Sequence, residues 1–189
     1  MWDMLQLVMG GQLLAFFALR LAYEPSSQSS AVLYESGLFK VLMSLVALGQ
    51  VSVLVGLVVK PDLFSFAAVP LPTVLRWAGA GLGLLTLGFL AWCYRILGTN
   101  YHSILHLDKD QTLITSGPYR YFRHPIYVGL FGIFFSFWLQ SANVLVLLLG
   151  TGGLSLLLYI RIPKEEALLL KHFGQGYRSY MKQTKRFGL

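Results

Sequence analysis

Five long apolar segments dominate this sequence of 189 residues and constrain what it can fold into. They cover Met4–Tyr23, Leu38–Val59, Val74–Leu97, Ile126–Leu139 and Asn143–Ile160. A helix that crosses a bilayer needs about 17–25 residues, so the fourth segment is short unless the residues before it add a turn. Only 12% of the residues are charged, against about 25% in soluble domains. The pattern predicts an all-α, polytopic integral membrane protein with about five transmembrane helices.

The segments that connect these apolar stretches predict that the chain is divided into two parts. Residues 1–97 hold three N-terminal transmembrane helices, and residues 98–189 hold a polar loop, a helical hairpin and a C-terminal amphipathic helix. The hairpin is expected because only Gln140–Asn143 separates the last two apolar segments. The single cysteine, Cys93, lies inside the third segment and excludes a disulfide framework.

The segment from Lys164 to Arg186 has the periodicity of an amphipathic helix. Its apolar face contains Leu169, Leu170, Phe173, Tyr177, Tyr180 and Met181. Glu166 lies at the centre of that face and Glu165 beside it, so a buried carboxylate with a partner is expected. Pro163 removes one helical hydrogen bond and is expected to mark where the fifth span ends and this helix turns away.

The basic residues are divided unequally between the connecting segments, and this division predicts orientation. If the C-terminus is cytoplasmic, only Lys60 and Arg76 of the fifteen lysines and arginines lie on the opposite side. The N-terminus is therefore expected outside. This sorting, together with attraction to anionic lipids, explains the net charge of +7. Nucleic-acid binding is not expected, because no soluble basic face with stacking aromatics is present.

A dense polar and aromatic block, residues 116–129, lies before and within the start of the fourth apolar segment. It contains two arginines, a histidine and three tyrosines: Arg120, Arg123, His124, Tyr119, Tyr121 and Tyr127. Ionisable groups next to hydrocarbon are costly, so the block predicts a functional site. Composition alone leaves a second interpretation open, in which the arginines are cytoplasmic anchors and the tyrosines an interfacial belt.

Three pieces of the chain are expected to meet on the cytoplasmic side: the loop 98–115, the polar block, and Arg161 with Glu165 and Glu166. The combination suits a cationic or zwitterionic cofactor, because a carboxylate binds ribose hydroxyls and aromatic faces favour a sulfonium. An arginine can then hold a substrate carboxylate in a fork geometry. No metal site is expected, because no His/Cys spacing suits zinc: His102 and His106 are four residues apart but lie in a polar loop without a third ligand.

The order of these motifs closely resembles the isoprenylcysteine carboxyl methyltransferase family. The resemblance spans Leu97 to Phe187, about half of the chain, and is carried by the following motifs: Leu113–Tyr119, Arg123–Gly129, Glu165-Glu166, Phe173-Gly174 and Tyr177–Tyr180. The compact chain looks like a short, prokaryotic-type member. The motif Arg-His-Pro-x-Tyr alone also resembles parts of sterol reductases and phospholipid methyltransferases.

The resemblance implies an S-adenosylmethionine-dependent methyltransferase, similar to protein-S-isoprenylcysteine O-methyltransferases, that acts on the carboxylate of a C-terminal isoprenylated cysteine or a similar lipophilic acid. By motif position, the implied cofactor contacts are His106, Gln111, Thr112, Leu113, Ile114, Tyr119, His124, Pro125, Ile126, Tyr127 and Glu165. The helical wheel favours Glu166 over Glu165 as the inward carboxylate, so both stay candidates. Arg161 matches the position that handles the substrate and is the candidate catalytic and substrate-binding residue.

The same resemblance implies a lipophilic, prenylated substrate that enters from the bilayer and a charged cofactor that enters from the cytosol. It favours a prokaryotic plasma membrane, or the endoplasmic reticulum in a eukaryote, with membrane lipids as neighbours and the oligomeric state left open. Three other interpretations stay open. They are methyl transfer to a phospholipid amine or a small thiol, NADPH-dependent reduction as in sterol reductases, and a non-enzymatic scaffold or transporter.

Overall fold

The computed structural model describes residues 4–23, 37–98 and 112–188, and these are almost entirely helical. The helices are α1 (Met4–Tyr23), α2 (Gly37–Val59), α3 (Thr73–Leu97), α4 (Pro125–Ser141), α5 (Val144–Phe173) and α6 (Gln175–Gln183). Short 3-10 helices cover Pro61–Ala67 and Gly117–Arg120. The first four helices begin within one residue of the predicted apolar segments, so hydrophobicity alone located them.

Three described helices, α1, α3 and α5, are each long and apolar enough to cross a membrane. The last part of α2 and the 3-10 helix after it meet at a bend of 118°, and count as a fourth span if they are taken together. Helix α4 is apolar but has only 17 residues, the lower limit of about 17 for a span. The chain is therefore a helical, multi-pass integral membrane protein, and the count of five spans stays a prediction.

Helices α4 and α5 form the tight hairpin that the sequence predicts. Ala142 takes the left-handed conformation, with a φ of 51°, and Asn143 caps α5 by accepting a hydrogen bond from the backbone N–H of Leu145 at 3.0 Å. The Asn143 side chain also donates to the carbonyl of Phe64 at 2.9 Å. The Val69 N–H donates to the Ala142 carbonyl at 2.8 Å. The turn of the hairpin is thus anchored to the segment after α2.

Helix α3 packs closely against α4 through small residues. A Cβ atom added to Gly79 would lie 2.6 Å from the Cβ of Leu139 and 3.1 Å from the carbonyl oxygen of Ser136. One added to Gly132 would lie 2.9 Å from the Thr86 side chain. Small residues let helix backbones approach closely, which is a main source of packing energy inside a bilayer. The same pair of helices contributes much of the buried core, including Leu90, Tyr94, Ile133 and Phe137.

Two expectations for the C-terminal region are wrong, namely that the fifth span ends at Pro163 and that residues 164–186 form one helix. Helix α5 continues through Pro163 to Phe173 instead of ending there. Pro163 and the preceding Tyr159 are both exposed, so the hydrogen bond that proline cannot donate is missing on the outer side of the helix. The single helix predicted over residues 164–186 is divided at Gly174, where φ is +52°. Only glycine adopts this conformation without strain, and periodicity carries no signal for it.

The chain after α6 folds back along the polar block as a short segment, Thr184–Gly188, which we call the C-terminal strap. The backbone N–H groups of Arg123 and His124 donate to the carbonyls of Lys185 and Arg186, at 3.0 and 3.3 Å. The Tyr180 hydroxyl at the end of α6 donates to the Tyr119 carbonyl at 2.5 Å. These contacts fix the end of the chain against the predicted site.

The packing of α3 on α4 generates a test that uses two glycines of the same helix. Gly79→Ala is expected to destabilise the protein by about 1–3 kcal/mol, because the added methyl group overlaps backbone atoms of α4. Gly81→Ala is the matched control, since a Cβ atom there meets nothing within 4 Å among the described residues. Thermal unfolding in detergent measures both. Equal stabilities for the two variants would contradict the close packing.

Candidate active site

A cavity of about 500 Å³ lies between the helices and the polar block. Its volume falls in the range of about 300–1,000 Å³ typical of small-molecule sites. The polar block and α5 form one part of its wall, and α1 and α2 form another, with Leu13, Phe16 and Leu54 among the lining residues. The candidate site therefore extends beyond residues 98–189, the part of the chain to which the sequence assigned it.

The cavity brings together ten of the thirteen residues predicted for the site. These are Thr112, Leu113, Ile114, Tyr119, His124, Pro125, Ile126, Tyr127, Arg161 and Glu165. Glu166 is buried but does not line the cavity. His106 and Gln111 lie outside the described residues, as does His102. Among the described residues, no group of three histidines, cysteines or acidic residues is arranged to hold a metal ion.

The start of α4 positions two rings of the site. Pro125 occupies the first turn of the helix, where its fixed φ suits the helix and no N–H is needed. His124 precedes it and Tyr127 follows within the same turn, so their rings stack with centroids 5.5 Å apart and planes at 19°. The Tyr127 hydroxyl donates to Glu165 Oε2 at 2.6 Å. The proline thus orients a histidine and a tyrosine toward the same carboxylate.

Arg161 and Glu165 lie one turn apart on α5, and both line the cavity. The Arg161 guanidinium interacts electrostatically with the Glu165 carboxylate and with the Tyr127 hydroxyl. On the other side, His124 Nδ1 lies 3.6 Å from Glu165 Oε1. The cavity therefore contains a carboxylate between a guanidinium and an imidazole, next to stacked aromatic rings.

Glu166 forms the centre of a buried ion cluster behind the cavity wall. Arg186 from the C-terminal strap donates to it through Nε and Nη2, with the Nη2–Oε2 distance at 2.6 Å. Arg123 Nη2 lies 3.0 Å from Glu166 Oε1, and His124 Nε2 lies 3.3 Å from the same oxygen. The sequence correctly predicted a buried carboxylate with partners. The adjacent carboxylates thus face different surroundings, Glu165 the cavity and Glu166 the cluster.

His124 connects the two carboxylates, since each ring nitrogen faces one of them. Burial of the imidazole disfavours its charged form, but the hydrogen bonds and negative charges of Glu165 and Glu166 outweigh burial and raise the pKa of His124 above 6.5. A protonated ring donates from both nitrogens, which matches two carboxylate partners. The His124 ring therefore lies between the two carboxylates and holds the Glu165 side chain in place.

Several residues of the wall were not singled out as site residues from the sequence. Arg123 and Tyr177 line the cavity, and so does Gln50 of α2. The buried hydroxyls of Tyr119 and Tyr177 and the Gln50 amide have no hydrogen-bond partner among the described residues. Buried polar groups are normally paired, so these unsatisfied atoms indicate that the cavity suits a ligand with polar groups.

The raised pKa of His124 predicts how stability depends on pH. Its ion pairs contribute fully below pH 6.5, the ordinary value, and the contribution is lost as pH rises through the raised folded-state value. The thermal stability of the wild type relative to His124→Gln should therefore fall with rising pH. Replacement of the exposed His172 with glutamine is the control and should leave the dependence unchanged. If the difference in thermal stability between the wild type and His124→Gln did not change with pH, the raised pKa of His124 would be contradicted.

Part of this chain is similar in sequence to known proteins. A family profile described as the isoprenylcysteine carboxyl methyltransferase (ICMT) family matches residues 80–171. Proteins named protein-S-isoprenylcysteine O-methyltransferase are similar over a segment of about the same length. The one from Dictyostelium discoideum is 34% identical over 94 residues, 46% of this chain and 38% of that protein. The human one is 34% identical over 95 residues, 46% of this chain and 31% of that protein. The matched segment spans about a third of these relatives.

A solved structure shares the fold over nearly the whole chain. It is the eukaryotic intramembrane Ras methyltransferase ICMT, with a TM-score of 0.62 and 22% sequence identity. The alignment covers 95% of this chain and 65% of that one, so the helices outside residues 80–171 also follow the same arrangement. Over residues 80–171, which contain the polar block and Arg161, the chain is similar to the isoprenylcysteine carboxyl methyltransferase family.

Proposed function

We propose that this protein is an S-adenosylmethionine-dependent membrane methyltransferase that methylates the carboxylate of a C-terminal isoprenylated cysteine or a similar lipophilic acid. One observation carries the proposal. A single cavity joins a polar end, formed by His124, Tyr127 and Glu165, to an apolar arm between α1, α2 and α5. Arg161 lies on α5 between Glu165 and the apolar Leu157 of the same wall. A charged donor and a lipophilic acceptor therefore have adjoining places in one cavity.

The polar end fits S-adenosylmethionine, which supplies an electrophilic methyl group on a sulfonium when it is bound. Glu165 offers carboxylate oxygens to hydroxyl or ammonium groups, and the tyrosine faces suit a sulfonium. The unsatisfied hydroxyls of Tyr119 and Tyr177 offer hydrogen bonds in the same wall. Thr112, Leu113 and Ile114 add an irregular segment whose backbone groups and side chains suit an adenine ring. We assign the cofactor contact to Glu165 and not to Glu166, because only Glu165 lines the cavity.

The apolar arm fits the tail of the acceptor. Phe17 and Leu21 of α1 line the cavity and are 36% and 76% exposed, so this part of the cavity wall is not closed by the described residues. The arm therefore opens toward the surface that faces lipid, and a prenyl-like tail can enter sideways from the bilayer. Arg161 then holds the acceptor carboxylate in a fork geometry beside the polar end.

Catalysis on this proposal consists of positioning and desolvation. The acceptor carboxylate is already nucleophilic at neutral pH, so no side chain has to act as a general base. Arg161 would hold the acceptor carboxylate beside the polar end, while His124 and Tyr127 fix Glu165 from two directions. The apolar walls exclude water, which strengthens these interactions. The polar end would face the cytosol, as the unequal distribution of basic residues predicts.

The experiment that tests the proposal is transfer of a labelled methyl group from S-adenosylmethionine to a panel of acceptors by the purified protein. The panel contains a farnesylcysteine analogue, phosphatidylethanolamine and a small thiol. Transfer to the farnesylcysteine carboxylate supports the proposal. Transfer only to the amine or the thiol identifies a methyltransferase of another class, and binding of NADPH without methyl transfer identifies a reductase.

Arg161→Lys separates a carboxylate-binding role from a simple membrane anchor. Lysine keeps the charge and reaches the interface, but it cannot grip a carboxylate with two parallel hydrogen bonds. We expect normal folding, unchanged cofactor affinity and a loss of about tenfold to a hundredfold in kcat/KM, the equivalent of a charged hydrogen bond. Arg178→Lys, at an exposed position of α6, is the matched control. Near-full activity of Arg161→Lys would show that the arginine only anchors the helix.

A further inference from the structure

The amide of Gln50 is a buried polar group of the cavity that the proposed chemistry does not use. Gln50 lies in the middle of α2, lines the cavity and is only 3% exposed. Neither its Nε2 nor its Oε1 atom has a hydrogen-bond partner among the described residues. An unpaired amide in an apolar, membrane-embedded wall is costly, and polar residues at such depth usually mark a ligand path.

The wall opposite Gln50 leaves room for this amide. Gly150 faces it so closely that an added Cβ atom would lie 2.8 Å from Gln50 Nε2 and 3.1 Å from the Cβ of Phe134. Gly150 belongs to a π-helical segment of α5, Leu147–Gly152. Such segments are rare and occur mostly at functional sites. The glycine and the irregular helix turn therefore accommodate a polar side chain that the fold itself does not satisfy.

The other buried glutamines of the structure show what a structural amide looks like here. Gln140 donates to Gln12 Oε1 at 2.9 Å, and Gln12 donates to the Ala80 carbonyl at 2.8 Å. These two amides link α1, α3 and α4 away from the cavity. Gln50 has comparable burial but makes no such link, so its amide does not serve helix packing in this way.

We propose that Gln50 determines acceptor specificity by binding a hydroxyl group in the tail of the lipophilic acceptor. A hydroxyl both donates and accepts, so it can pair with either atom of the amide. Gly150 and Arg161 are eleven residues apart on α5, which places the hydroxyl on the order of 15 Å along the tail from the carboxylate. This inference rests on the proposed function, and it narrows the acceptor to a lipid acid with a polar group far from its reactive end.

The test compares acceptors that differ in one hydroxyl. The probes are S-alkylated N-acetylcysteines of equal tail length, one plain, one hydroxylated near the far end and one hydroxylated near the sulfur. Binding is measured by calorimetry on the wild type and on Gln50→Leu. For each protein, we divide the affinity for the far-hydroxylated probe by the affinity for the plain probe. This ratio should be about fivefold to tenfold higher in the wild type than in Gln50→Leu, the equivalent of one hydrogen bond. The probe hydroxylated near the sulfur should show no dependence on residue 50.

Gln50→Leu removes an unsatisfied amide, so we expect it to fold at least as stably as the wild type. Gln12→Leu is the matched control, which should lower thermal stability without changing the ratio of affinities. An identical ratio in the wild type and Gln50→Leu, with the plain probe bound and methylated, overturns this inference alone. A ratio that depends on Gln50, with no methyl transfer to any bound probe, supports this inference and overturns the proposed function.

Discussion

The buried carboxylate of Glu166 is the interaction on which the rest of the site depends. It receives charged hydrogen bonds from the C-terminal strap through Arg186 and faces Arg123 and His124 of the polar block. A single buried charge would be very costly, and three partners from two other segments are needed to offset its desolvation. The carboxylate therefore ties α5, the polar block and the end of the chain into one unit, and this unit fixes the His124 ring that holds Glu165.

Much of this architecture follows from local sequence signals. Apolar segments located the helices, and the helical wheel predicted that Glu166 is buried and paired. The continuation of α5 through Pro163 could not be predicted, because its cost depends on which side of the helix faces the core. The break at Gly174 depends on a left-handed conformation that periodicity does not register. Gln50 belongs to no motif. Its proposed role could not be predicted from the sequence, because it depends on Gly150, which faces Gln50 in the folded chain.

The two ends of the cavity differ in how closely they relate to known proteins. The polar block and Arg161 lie within residues 80–171, the region that matches the family. Much of the apolar arm comes from α1 and α2, which lie outside that match. The region that would handle the cofactor is therefore the one that matches in sequence, while much of the wall that would select the acceptor tail lies outside the matched residues. This division leaves room for an acceptor that differs from a plain prenyl group.

The central claim is that two adjacent glutamates have separate roles, Glu165 in the cofactor site and Glu166 in the fold. Calorimetric titration of S-adenosylhomocysteine onto Glu165→Gln and Glu166→Gln, with thermal unfolding of both, tests it most directly. Glu165→Gln should weaken binding by about tenfold to a hundredfold. It should lose less stability than Glu166→Gln, because the Glu165 side chain is 27% exposed and that of Glu166 only 6%. Glu166→Gln should lose about 3 kcal/mol of stability, because it leaves the largely buried Arg123 guanidinium without its carboxylate partner. Unchanged affinity in Glu165→Gln would contradict the account.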